Sequence, residues 1–224
     1  RGLALGCLCL WMVLVVVLGG CAVVPLTAPT VTPIPPTPTP VCDGAGRVVQ
    51  ERVESDALGW DLQAAIYLPP CYDEHTWAEY PVLYLVPGNG GGHLTWFSST
   101  EVVEIAEDLI LSGEVPPFII ISPANSGSDS WGEAIFNDLM LLVERTYRTL
   151  DDRHHQVIGG ASLGGVIAYR LGFQYPERFG SVGIFGSGVI LSQDEEALVA
   201  GWLAGMPEEM RPRILMDYGE QDTL

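Results

Sequence analysis

The sequence is poor in basic residues and in charged residues generally. It has 10 lysine and arginine residues against 28 aspartate and glutamate residues, and charged residues make up 17% of its 224 positions. The formal net charge of −18 disfavours nucleic acid and anionic membrane surfaces as partners, because both would be repelled. We therefore predict a neutral small-molecule or sugar-linked substrate.

Charged residues are missing altogether from residues 2–42, which divide into two parts. Residues 2–24 are almost wholly apolar and end in Leu18-Gly19-Gly20-Cys21, which resembles a bacterial lipobox with Cys21 as the lipidated residue. An uncleaved transmembrane anchor and a simple cleaved signal are the alternatives. Each of the three places the rest of the chain outside the cytoplasm, and the first two tether it to the cell membrane.

Residues 25–44 form a linker rich in proline and threonine, without a hydrophobic period. Such composition predicts an extended polyproline spacer. Residues 45–224 then form the globular domain. Because the chain begins with Arg1 rather than Met, we expect it to be part of a longer sequence.

Cysteine is scarce, with five residues, of which Cys7 and Cys9 lie in the apolar segment. Cys42 and Cys71 stand at the start of the globular domain, where an exported chain can keep a disulfide. In the chain-entropy model this bridge would contribute roughly 3 to 4 kcal/mol of stability. Two free thiols are the alternative. We predict no metal site and no cofactor.

Apolar runs and helical periodicity alternate along the globular domain, which predicts an α/β fold with a mostly parallel sheet covered by helices on both faces. Ligands bind beyond the carboxyl ends of the strands in such sheets. The predicted strands are 61–68, 82–86, 118–122, 156–159, 181–185 and 214–218, and the predicted helices are 101–111, a long one around 135–147, 163–175 and 195–203.

The pentapeptide Gly160-Ala161-Ser162-Leu163-Gly164 matches G-x-S-x-G between a predicted strand and a predicted helix. In this context Ser162 is a candidate nucleophile, and Gly160 and Gly164 are needed where a Cβ would collide with a neighbouring element. The Leu163 amide, at the helix N-terminus, points to where an oxyanion would form. The alternative is that small residues merely permit tight packing.

Two further segments supply groups that such a serine requires. The strand over 82–86 runs into Pro87-Gly88-Asn89 and three more glycines, so the Asn89 amide is a candidate second oxyanion donor. Asp222 follows the last predicted strand and is the candidate acid, since the acid and the histidine follow the nucleophile in this order of motifs. Asp217 is the second candidate, but it lies within that strand.

These segments together resemble the esterase branch of the α/β-hydrolases over about residues 48–224. That branch includes S-formylglutathione hydrolases, feruloyl esterases, siderophore esterases and mycolyltransferases. The resemblance implies a three-layer α/β-hydrolase sandwich, with Ser162 as nucleophile, Asp222 as acid and the amides of Asn89 and Leu163 as oxyanion hole. It implies no cofactor.

Two positions depart from that family pattern. Pro87-Gly88 stands where the family usually has His-Gly, and the four histidines all precede Ser162. We therefore expect the catalytic histidine beyond Leu224, with the C-terminal part of the fold missing here and the fragment itself inactive. The predicted function is an exported serine carboxylic-ester hydrolase, and the alternatives are an acyltransferase to a sugar hydroxyl and a non-catalytic surface binding lipoprotein.

Overall fold

The computed structural model describes residues 44–127, 131–187 and 193–219. These residues belong to one compact unit, which spans residues 40–224. The predicted leader and nearly all of the predicted linker lie outside the described residues. In the part of the chain that is described, no helix has the length and apolar character needed to cross a membrane.

A seven-stranded mixed sheet forms the centre of the domain, in the order β1-β2-β4-β3-β5-β6-β7. Strands β1, β2 and β4 pair antiparallel, and β4, β3, β5, β6 and β7 pair parallel. The predicted mostly parallel sheet is therefore confirmed. The strands are β1 Arg47–Val53, β2 Leu62–Leu68, β3 Val82–Val86, β4 Ile119–Pro123, β5 Gln156–Ala161, β6 Ser181–Phe185 and β7 Arg213–Asp217.

Helices connect the parallel strands, and each predicted helix has a counterpart in the structure. The predicted long helix is interrupted by a π-helical segment, so its apolar face does not keep one period throughout. The helices are α1 Thr95–Ser99, α2 Val102–Leu111, α3 Trp131–Glu133, the π-helical Ala134–Leu139, α4 Met140–Thr146, α5 Leu163–Gln174 and α6 Gln193–Gly205.

Two apolar cores separate the layers, because side chains alternate across each strand. Ile119 and Ile121 of β4 pack in the larger core, whereas Ile120 between them packs in the smaller one. The larger core includes residues of α3, the π-helical segment, α4 and α5, and the smaller core includes residues of α1 and α2. The sheet is thus covered on both faces, as the sequence predicts.

Strand β1 and the short helix α1 are among the elements that the sequence analysis leaves out. Six of the seven residues of β1 are exposed or only half-buried, so the strand has no clear period-two contrast between an apolar and a polar face. Hydrogen bonding to β2 places it in the sheet. Tertiary pairing, rather than local pattern, decides its structure.

Gly172 of α5 packs directly on Val182 of β6, since a Cβ on Gly172 would lie 2.2 Å from Val182 Cγ2. We expect Gly172→Ala to lower the free energy of unfolding by about 1 to 2 kcal/mol, because the stiff valine cannot yield easily and overpacking exceeds the gain in helix propensity. Urea denaturation measures this. In the double variant with Val182→Ala the new methyl has room, so the combined cost should be smaller than the sum, and strict additivity would contradict this account.

Candidate active site

Ser162 occupies a sharp turn between β5 and α5, at the carboxyl edge of the parallel strands. Its backbone has φ 52° and ψ −125°, a conformation that is costly for a residue with a side chain. The residue is exposed, whereas the end of β5 before it is largely buried. The turn therefore presents the serine hydroxyl to solvent at the edge where ligands bind in sheets of this kind.

Close packing explains why the turn needs glycine on both sides of Ala161-Ser162-Leu163. A Cβ on Gly160 would lie 2.4 Å from the carbonyl carbon and oxygen of Gly164, and a Cβ on Gly164 would lie 2.2 Å from the Val86 carbonyl oxygen. These neighbours are backbone atoms, which cannot move aside without disturbing β3 or α5. The start of α5 is thus pressed against the end of β3.

The glycine loop after β3 lies beside the serine. A Cβ on Gly88 would lie 3.4 Å from Ser162 Cβ and 4.0 Å from its hydroxyl oxygen. The Gly91 amide donates to the Gly88 carbonyl at 2.9 Å, and Gly90 has φ 70°, so residues 88–91 form a tight turn of the type II kind with Asn89 at its tip.

The two amides that the sequence suggests as oxyanion donors belong to residues beside Ser162 and beside the Gly88 position. Asn89 is the residue after Gly88, and Leu163 is the first residue of α5. Among the described residues, no group accepts a hydrogen bond from either amide. Both N–H groups are therefore available to a ligand beside the serine hydroxyl.

Asn125 is a buried residue of this site that the sequence analysis missed. Its side-chain Nδ2 donates to the Pro87 carbonyl at 2.9 Å, and its Oδ1 accepts from the Gly127 amide at 2.9 Å. Its backbone carbonyl also accepts from the Gly90 amide at 3.0 Å. Asn125 therefore fixes the glycine loop to the end of β4. Its position directly beyond a strand of the parallel sheet is the signal that could have identified it.

Ser187 is a second residue that the sequence analysis missed. Its hydroxyl donates to the Ser162 carbonyl at 2.7 Å, and the residue is 7% exposed. The Ser162 amide in turn donates to the Phe185 carbonyl at 3.1 Å, and the Gly186 amide donates to the Asp217 carbonyl at 2.7 Å. The loop after β6 therefore links the serine turn on one side to the end of β7 on the other.

The candidate acids lie near the end of β7. Asp217 is the last residue of that strand, aligned with Phe185 of β6, and Phe185 is aligned with Ala161 of β5. Its backbone carbonyl is engaged by Gly186, as described above. Asp222, the preferred candidate, lies outside the described residues.

The structure describes all four histidines, and none of them hydrogen-bonds to Ser162. His154 and His155 precede β5 at the opposite edge of the sheet, and His155 pairs with Asp152. His75 is half-buried, and its ring centroid lies 5.2 Å from that of Trp77 with the two ring planes tilted by 38°. None of these three side chains is at the edge that presents Ser162.

His93 is the one histidine in the glycine loop. Its Nε2 lies 2.7 Å from Oε1 of Gln50, a carbonyl acceptor, so Nε2 carries the proton and donates. Partial burial lowers the pKa of His93 below its usual value. The interaction joins the loop to β1 and does not reach the serine.

The two tryptophans that follow strands differ in their surroundings. Trp131 is fully buried and donates its indole N–H to the Ala124 carbonyl at 2.6 Å, so it packs in the core. Trp96 is half-buried in α1 and meets Phe185 edge to face.

Other predicted features fall partly outside the described residues. Cys71 is disulfide-bonded, but the predicted pairing with Cys42 remains a prediction because residue 42 is not described. Cys21 is likewise outside. Over residues 44–127, 131–187 and 193–219, no group of three or more histidine, cysteine, aspartate or glutamate side chains is arranged to hold a metal ion.

A model of the protein family described as "Putative esterase" matches residues 55–222. The chain belongs to this esterase family. An uncharacterised protein of Corynebacterium glutamicum is 31% identical over 141 residues, which cover 57% of this chain and 33% of the relative. An endo-1,4-beta-xylanase/feruloyl esterase of Xylanibacter ruminicola is 24% identical over 164 residues, which cover 66% of this chain and 23% of the relative. The chain therefore spans a third or less of the length of these two relatives.

Solved structures of esterases have the same fold. A ferulic acid esterase superposes with a TM-score of 0.64 at 24% identity, covering 75% of this chain and 74% of that one. A mutant of the feruloyl esterase module from Clostridium thermocellum, complexed with sinapinate, superposes with a TM-score of 0.66 at 21% identity, covering 80% and 68%. These likenesses confirm the predicted α/β-hydrolase fold.

We expect Asn125→Ala to loosen the glycine loop. The substitution removes two hydrogen bonds of a buried side chain, the one it accepts from the Gly127 amide and the one it donates to the Pro87 carbonyl. The free energy of unfolding should fall by about 1 to 3 kcal/mol, and the Gly127 amide should lose protection from hydrogen exchange. Urea denaturation and exchange measured by mass spectrometry or NMR test both. Asn137→Ala, at an exposed position, is the control, and an equal response of the two variants would contradict the assignment.

We expect His93 to give the folded protein a stability term that depends on pH. Its pKa is lower in the folded than in the unfolded state, so this term is fully present above the unfolded pKa, near 6.5, and is lost as the pH falls through the folded pKa. His93→Gln should therefore flatten the pH dependence of unfolding between about pH 7 and 5. An NMR titration of His93 with a midpoint at or above 6.5 would refute this.

Proposed function

We propose that the protein is a serine esterase that hydrolyses carboxylic esters through an acyl-enzyme on Ser162. The observation that carries the proposal is the strained, exposed Ser162 beside two amides that have no acceptor among the described residues. A turn that served only for tight packing would not need to hold a serine in this conformation with its hydroxyl in solvent. Membership in the esterase family supports the same chemistry.

The proposed reaction has two steps. The Ser162 hydroxyl loses its proton to a base and attacks the ester carbonyl carbon, and the resulting oxyanion accepts hydrogen bonds from the amides of Asn89 and Leu163. The carbonyl re-forms as the alcohol leaves with the proton from the base. Water then attacks the acyl-enzyme in the same way, which releases the carboxylic acid and restores the serine.

The base in this proposal is a histidine located after Asp222, in the order that the motif predicts, with Asp222 orienting it. The support is that each of the four histidines in the present sequence has a position or a partner away from Ser162. Asp217 is less suited as the acid, because it lies within β7 rather than in the loop beyond it.

The relatives and the composition support a proposal for the substrate class and the location. Relatives named as xylanase/feruloyl esterase and as ferulic acid esterase support an ester linked to a sugar or bearing a phenolic acid. The acidic net charge favours a neutral substrate. The N-terminal residues support export and attachment to the membrane, through a lipid on Cys21 or an apolar anchor.

A fluorophosphonate probe tests the proposal on the protein produced from its complete gene. We expect the probe to label Ser162, and Ser162→Ala to abolish labelling and to lower hydrolysis of p-nitrophenyl acetate by about 10⁴-fold or more, because the nucleophile is lost. Peptide mass spectrometry locates the label.

Ser98→Ala, at another exposed serine, is the matched control and should keep full labelling. Absence of labelling in the unaltered full-length protein would contradict the esterase proposal. The 224-residue chain alone should show little or no turnover, since it lacks the proposed base. Turnover by that chain at the rate of the full-length protein would disprove the assignment of the base.

A further inference from the structure

The Ser187 hydroxyl donates to the carbonyl oxygen of Ser162 at 2.7 Å. That carbonyl belongs to the peptide group that joins Ser162 to Leu163, and the N–H of the same peptide group is a proposed oxyanion donor. We propose that Ser187 is a positioning residue of the oxyanion hole, which orients and strengthens the Leu163 N–H through this shared peptide group. The inference rests on the proposed function, because it assigns a further residue to the same reaction.

Orientation is the first effect of this hydrogen bond. A peptide group is planar and rigid, so a partner that fixes its oxygen also fixes its N–H. In a trans peptide the C=O and N–H bonds point in opposite directions, and a donor on the oxygen therefore determines where the N–H points. Ser187 is 7% exposed, so water competes little for its hydroxyl, and 2.7 Å is the usual length of a well-formed O–H···O hydrogen bond. The direction of the Leu163 N–H is thus fixed from outside α5.

Polarisation is the second effect. A donor that draws electron density toward the carbonyl oxygen makes the N–H of that peptide group more positive, and hydrogen bonds in a chain strengthen one another by about 10–30% each. A substrate oxygen on the Leu163 amide completes such a chain, which begins at the Ser187 hydroxyl. The gain is greatest when that oxygen carries a full negative charge, as it does near the transition state.

Neither helix hydrogen bonding nor packing requires this hydroxyl. The Gly165 amide of α5 donates to the Ser162 carbonyl at 2.9 Å, so the helix already supplies this oxygen with a donor. A Cβ on Gly165 would lie 2.8 Å from the Ser187 Cβ, so the two residues are in close contact. This contact explains a small residue at position 187 but not a hydroxyl, because alanine would fill the same space.

The kinetics of Ser187→Ala in the full-length protein test the proposal. Removal of an oxyanion donor costs roughly 10²- to 10³-fold in kcat, whereas this variant keeps the donor and loses only its support. We expect kcat for p-nitrophenyl acetate to fall by about tenfold with KM unchanged, because the oxyanion forms only after the ester is bound. Titration of the active sites with a fluorophosphonate probe gives kcat per folded molecule.

Ser55→Ala is the matched control. Ser55 is 6% exposed, accepts a hydrogen bond from the Leu58 amide, and follows β1, which lies four positions from β5 in the sheet. Its removal takes away a hydrogen bond of another buried serine without touching the serine turn, so kcat and KM should both stay unchanged. An unchanged kcat in Ser187→Ala, an equal fall of kcat in Ser55→Ala, or a rise in KM alone would each overturn the proposal.

Nuclear magnetic resonance separates this inference from the esterase proposal, because it needs no turnover. Ser162-Leu163 is the only Ser-Leu pair in the 224-residue sequence, so labelling with carbonyl-¹³C serine and ¹⁵N leucine selects its peptide group. In the full-length protein, the signal that disappears in Ser162→Ala identifies it. A hydrogen bond to a carbonyl deshields both nuclei, so we expect Ser187→Ala to move both resonances upfield and Ser55→Ala to leave them in place.

Resonances that do not move in Ser187→Ala overturn the inference, whatever the esterase activity. Resonances that move as expected, in a protein that hydrolyses no ester, count against the proposed function alone. Should Ser187→Ala fail to fold, Ser187→Cys takes its place. The S–H group is a weaker donor, so kcat and both resonances should change in the same direction by less, and no change in either readout overturns the inference.

Discussion

The structure of the site depends on the contact between the start of α5 and the end of β3. Gly164 lies so close to the Val86 carbonyl that only a residue without a side chain fits there, and Gly160 meets Gly164 in the same way. This backbone-to-backbone packing leaves Ser162 no relaxed conformation, and the turn is held by its surroundings rather than by its own preference. The exposed hydroxyl, the position of the Leu163 amide and the nearness of Gly88 all follow from that packing.

Local sequence patterns were sufficient for most of the fold, because apolar strands such as Ile119–Pro123 are buried on both faces and helices such as α5 have clear ends. Strand β1 could not be predicted in this way, since its residues are largely exposed and only pairing with β2 fixes them. The π-helical segment could not be predicted from the sequence either, because its apolar residues have a mixed spacing that is also compatible with a regular α-helix.

The sequence alone could predict only those residues of the candidate site that lie in the glycine-rich motifs. Ser162, Leu163 and Asn89 stand in segments whose glycines mark them. Asn125 and Ser187 are ordinary polar residues in loops, and their importance arises from partners 38 and 25 positions away in sequence. Such partnerships depend on the order of the strands in the sheet, in which β4 and β5 both border β3. No short stretch of sequence determines that order.

The hydrogen bond from the Gly186 amide to the Asp217 carbonyl gives strand β7 an influence on Ser162. Gly186 lies between Phe185 and Ser187, the two residues that hold the amide and the carbonyl of Ser162. A displacement of β7 would therefore change the orientation of the serine. The backbone thus links Ser162 to the end of β7, and amino-acid changes in β7 would alter the orientation of Ser162 without touching its side chain.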